Sequence, residues 1–89
     1  MEMNRYRIYT ENVAGKIDGA LALVAKTFPA YSTFPGTGYW NGARESSIVI
    51  EIIAQNHIGD IQQLARALKA YLEQDAILIT REPIVSMLV

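Results

Sequence analysis

The 89 residues contain no cysteine and a single histidine. Without thiols there is no disulfide framework, no thiolate nucleophile and no cysteine-ligated zinc. Small secreted domains usually offset a thin core with disulfides, so the composition leads to the expectation of a cytoplasmic protein. Charge is scarce as well: 19% of residues are charged, 8 basic against 9 acidic, for a net charge of −1. So balanced a chain cannot draw affinity from phosphate neutralisation, and no nucleic-acid partner is expected. Long apolar runs are missing too. None approaches the ~20 residues of a membrane-spanning helix. The start, Met1-Glu2-Met3-Asn4-Arg5, lacks the apolar core of a signal peptide, so no membrane partner is expected either.

What is present is apolar. Hydrophobic residues make up 51% of the chain, which excludes a disordered tail. The length suits one domain with a thin core.

Residues 5–10 alternate at period two, Tyr6, Ile8 and Thr10 against Arg5, Arg7 and Tyr9, as a strand does. From 16 to 28 the period changes. Ile17, Ala20, Leu21, Val24 and Phe28 form one helical stripe, closed by Pro29. Residues 31–40, with Pro35, Gly36 and Gly38, read as a strand bulged or bent at the glycines. Asn41-Gly42 then predicts a tight hairpin turn, because a type I′ turn needs positive φ at both central positions. Residues 43–54 are the return strand. A second helix is predicted from Asp60, with Gln63 completing a capping box, to Glu73. Residues 76–80 are a final strand, broken by Arg81-Glu82-Pro83, and 84–89 a short extra C-terminal strand. The order β-α-β-β-α-β is the ferredoxin-like α+β arrangement, a four-stranded antiparallel sheet with both helices on one face.

In that arrangement the second sheet face is open and should read polar. Here it does not. Strand 43–54 carries aliphatics on both faces, and the chain ends on more of them. Five or six such side chains left in water would forgo about 1.5–3 kcal/mol each. A homo-oligomer is therefore expected. Its interface is predicted at Ile48, Ile50 and Ile52, together with Val85, Met87 and Val89 of a tail that pairs as a strand. Glu51 stands amid aliphatics; inside an interface it should find Arg5, Arg7 or Arg81, and in a wet channel it needs no partner.

Tyr39-Trp40-Asn41-Gly42, followed by Arg44-Glu45-Ser46-Ser47 and an aliphatic strand, resembles the Trp-x-Gly turn and strand of the PII/CutA-like group. It also resembles small phage- or plasmid-type proteins of unassigned role. The resemblance implies a trimer with sheets facing its centre and a regulatory or ligand-binding role. PII proteins carry a long mobile loop where Asn41-Gly42 closes the hairpin. They bind nucleotide with a glycine-rich loop where this chain has Glu73-Gln74-Asp75. ATP binding of that kind is not carried over. Nor is the divalent metal of CutA proteins, given one histidine and no cysteine; no cofactor is expected.

Candidate ligand-binding residues are Tyr39, Trp40, Arg44, Glu45, His57 and Arg81. Trp40 suits either a subunit contact or stacking on a ligand. Arg44 suits either a solvated pair with Glu45 or an anion, which its planar fork can hold. Arg81-Glu82 leaves the same choice. His57 is either a base or a solvated loop residue. Gly36-Thr37-Gly38 can present backbone N–H groups but lacks the Lys-Ser/Thr of a phosphate loop. The reading that follows is a small oligomeric ligand-binding or regulatory module, its partner a small-molecule effector or a protein. The alternative is a cofactor-free enzyme, oxygenase or tautomerase-like, with His57, Tyr9 and Tyr31 as candidate bases. Pure structural assembly stands as a third possibility. No catalytic signature is present.

Overall fold

Alternation and helical stripe build six elements in the computed structural model, which describes residues 2–89. Met1, cited above for the chain start, lies outside them. The elements are β1 (Glu2–Glu11), α1 (Ile17–Thr27), β2 (Ser32–Trp40), β3 (Ala43–Ala54), α2 (Ile58–Tyr71) and β4 (Leu78–Val85). They form one four-stranded sheet in the order β2-β3-β1-β4, antiparallel at every pairing. This is the expected ferredoxin-like α+β arrangement.

The register decides which face is which. Residues directly opposite across a ladder share a face. Tyr6, Ile8 and Thr10 of β1 stand opposite Ile52, Ile50 and Ile48 of β3. All six are buried. Ala20 and Val24 of α1 and Ile61, Leu64 and Leu68 of α2 join four of them, Tyr6, Ile8, Ile50 and Ile52, in one core cluster, with Thr10 and Ile48 buried beside it. Ile48, Ile50 and Ile52 therefore belong to the core of a single copy, not to an interface. The expectation chose the wrong one of two aliphatic faces on β3, since both read alike in sequence.

At Asn41 and Gly42 both φ angles are positive, 49° and 80°, as the tight hairpin requires. The pairing of β2 with β3 is continuous from Ser32 opposite Glu51 to Trp40 opposite Ala43. Of the bulge or bend expected at Gly36–Gly38, the bulge is absent, for no extra residue interrupts the pairing. Pro35 is tolerated because β2 is an edge strand.

Two further differences concern the C-terminal half. Helix α2 begins at Ile58, with His57 at its N-cap and no side-chain cap bond, so Asp60 and Gln63 form no capping box. Arg81-Glu82-Pro83 does not break the last strand. β4 also lies at an edge and pairs with β1 alone, so Pro83 removes no ladder bond that a central strand would need. Val85 is the last residue of β4, opposite Glu2, and residues 86–89 form no strand in the single chain. No separate C-terminal strand is present among the described residues.

Candidate functional site

The uncovered sheet face carries rows of side chains that run across the strands. One row is Phe34, Val49, Tyr9 and Leu78, from β2, β3, β1 and β4 in turn. Phe34 and Leu78 are 49% and 59% exposed. The next row holds Glu51 opposite Arg7, and the one after it Ile53, Arg5 and Glu82. Here Arg5 Nε lies 2.8 Å from Glu51 Oε1, and Arg7 Nη2 lies 3.7 Å from the same oxygen. Arg5 Nη1 donates to Glu82 Oε1 at 3.0 Å. Glu51 thus finds two of its three named partners within its own chain; Arg81 is not among them. The contacts to Glu51 are ionic rather than directed, for the buried Nε atoms of Arg5 and Arg7 have no hydrogen-bond partner among the described residues.

Beyond the apolar row, the face deepens into a groove of about 770 Å³. One wall is the β2–β3 hairpin. Along β2 the residues facing this side are Phe34, Gly36, Gly38 and Trp40, two aromatics with a gap between them. The gap is shallow in part: a Cβ at Gly38 would stand 3.4 Å from Ser47 Cβ. The opposite wall is the connection from α2 to β4. After Leu72 the chain turns at Glu73 with φ of 55°. Gln74 then ties the turn down: its N–H donates to Lys69 O at 3.0 Å, and its Oε1 accepts from Thr10 Oγ1 at 2.7 Å. Its Nε2 reaches Glu11 Oε2 at 3.5 Å. Thr10 is the one buried polar side chain among the described residues, and this bond satisfies it. Lys16 Nζ holds Glu73 Oε2 at 3.4 Å from the start of α1.

Three of the six candidate ligand residues, Tyr39, Trp40 and Glu45, line this groove. The other three do not. Arg44, paired with Tyr39 near the turn, is exposed and is not among the lining residues. Arg81 stands opposite Tyr6, on the helix-covered side of edge strand β4, and is also exposed. His57 follows β3 at the other end of the sheet. Its backbone N–H donates to the buried Tyr6 hydroxyl at 2.9 Å, and that hydroxyl donates to Gln55 O at 3.1 Å. The His57 ring sits edge-on to Phe28 and its Nδ1 lies 3.0 Å from Asp60 Oδ2. Its placement is accounted for by anchoring the start of α2.

Among the groove residues, Phe34, Glu11, Asp75 and Leu78 escaped the sequence reading. Period two along β2 could have paired Phe34 with Trp40. The clamp of Gln74 on Thr10 spans 64 positions and leaves no local signature. No group of three or more metal-ligating side chains occurs among the described residues. No helix there is long and apolar enough to cross a membrane.

No family model and no curated protein matches the sequence. Solved structures match the fold. A phage SAM lyase in complex with S-methyl-5′-thioadenosine superposes with a TM-score of 0.71 at 17% identity, over 90% of this chain and 80% of that one. CPII, a nitrogen regulatory PII-like protein from Thiomonas intermedia K12 bound to ADP, AMP and bicarbonate, gives 0.69 at 13% identity, over 100% and 98%. CutA from Synechococcus elongatus PCC7942 gives 0.59 at 13% identity, over 94% and 78%. The chain has the ferredoxin-like fold of PII-like and CutA proteins.

Proposed function

We propose that the protein is a small homo-oligomeric module, a trimer of the PII/CutA type working in the cytoplasm, that binds a small molecule in the groove. One observation carries the reading. The uncovered face joins an apolar row to a concave, aromatic-walled groove, and such concavity with a few polar groups is what small-molecule sites use. Copies pack through the part of the face that holds Ile53, Met3 and Ile84, with Val85, Met87 and Val89 adding the exposed end of the chain. The ion-pair cluster of Arg5, Arg7, Glu51 and Glu82 gives that contact its register. The groove then opens at the seam between copies.

Adenine compounds are the class to test first, since the phage SAM lyase and CPII hold such compounds on this fold. Trp40, the chain's single tryptophan, lines the groove and reports on binding by itself. Titration with adenosine should quench or shift Trp40 emission saturably and raise the melting temperature. A flat titration with no thermal shift would contradict the reading.

A second reading, a small cofactor-free enzyme, is supported by the SAM lyase among the structural neighbours. Of the three candidate bases only Tyr9 lines the groove; His57 and Tyr31 do not. Mass spectrometry of an incubated adenine ligand distinguishes the two: binding without chemical change supports the module.

A further inference from the structure

The wall chemistry of the groove goes further than its shape. Four carboxylates line it: Glu11, Glu45, Glu73 and Asp75. No lysine, arginine or histidine does so among the described residues. The nearby bases are committed elsewhere. Arg5 and Arg7 contact Glu51, and Arg5 also holds Glu82. Lys16 pairs with Glu73, while Glu45 and Asp75 have no ion pair among the described residues. Arg44 is the closest base in sequence to Glu45, but neighbours on a strand point to opposite faces.

The carboxylates stand among aromatic faces. Phe34 and Trp40 line it from one side of β2, separated by the bare stretch of Gly36 and Gly38, and Tyr9 of β1 lines the same space. Ring faces carry partial negative charge and attract cations. A cleft lined by one sign of charge also concentrates ligands of the other sign. Both effects oppose a phosphate, which needs basic side chains or a ring of backbone N–H groups.

Resting on the reading of this groove as the ligand site, we infer that it selects organic cations carrying a flat ring and rejects phosphorylated ones. The positive group sits toward Glu45 and Asp75, and the ring lies against Trp40.

A matched series tests this with the full chain: adenosine, 5′-amino-5′-deoxyadenosine and AMP share one ring system and carry neutral, positive and negative 5′ groups. Titrations followed by Trp40 fluorescence should rank the amine at least tenfold tighter than AMP, with adenosine between. The double variant Glu45→Gln, Asp75→Asn should lose several-fold affinity for the amine and keep that for adenosine. Circular dichroism melts confirm that the variant is folded, and Glu45→Gln alone serves if the pair is not. AMP binding as tightly as the amine while adenosine also binds would overturn the charge selection and leave the site standing. An unchanged amine affinity in the folded variant would overturn it too. No response to any of the three would remove the site and the inference together.

Discussion

Arg7 and Glu51 face each other across the β1–β3 ladder on the uncovered side of the sheet, Nη2 3.7 Å from Oε1, with Arg5 Nε on the same oxygen at 2.8 Å. Two guanidinium groups thus share one mostly buried carboxylate. Replacing Glu51 by Gln removes the shared acceptor charge and leaves two like charges side by side. The arginines are 32% and 41% exposed, so solvent screens much of the effect, and a loss of about 1 kcal/mol is expected. Urea denaturation of Glu51→Gln against the parent measures it. Unchanged stability would mean that water already satisfies both arginines.

Gly19 of α1 is fitted to Tyr71 of α2: a Cβ at Gly19 would overlap the Tyr71 hydroxyl and ring. Alanine ordinarily gains about 1 kcal/mol over glycine within a helix. Here Gly19→Ala should instead destabilise, since overpacking costs about 1–3 kcal/mol. Tyr71 is partly exposed, so Tyr71→Ala alone should be milder. The double variant should recover what Gly19→Ala loses, and a thermal-melt cycle of the four proteins shows whether it does.

The two faces of β3 can be separated by paired substitutions. Ile50 is fully buried and Ile53 is 46% exposed on the open side. Ile50→Ala should cost about 2–5 kcal/mol through the cavity it leaves. Ile53→Lys should leave the fold of a single copy within about 0.5 kcal/mol yet reduce the assembled mass. Equal behaviour of the two variants in sedimentation and melting would contradict the face assignment.

Residues 86–89 form no strand in the single chain, and Met87, Leu88 and Val89 are exposed. Deleting the four should lower the melting temperature and shift the protein toward monomer or aggregate, as expected of a tail covered by another copy. Full-length and truncated forms compared at equal concentration decide the point. If mass and melting temperature are both unchanged, the tail takes no part in assembly.

Much of this fold is legible in the residues because period and turn chemistry agree. The hairpin at Asn41-Gly42 and strand β3 are where their sequence puts them, for alternation and positive φ act locally. The break expected at Pro83 does not occur, because the effect of proline depends on whether a strand is central or at an edge, and that is a property of the sheet. The face of β3 was ambiguous for a related reason. Ile48, Ile50 and Ile52 differ little from Val49 and Ile53 until register with Tyr6 and Ile8 selects one side. Of the groove, the aromatics near the turn could be found by inspection. Glu11, Asp75 and the Gln74 clamp could not, since long-range pairing alone brings them to Trp40.

The claim on which the rest depends is that copies associate through the uncovered face. Sedimentation equilibrium of the full chain at micromolar concentration tests it without any ligand. The expected mass is three times 9.9 kDa, falling toward a single chain in Ile53→Lys. A full chain that sediments as a 9.9 kDa monomer, with its aliphatic face in water, would contradict it.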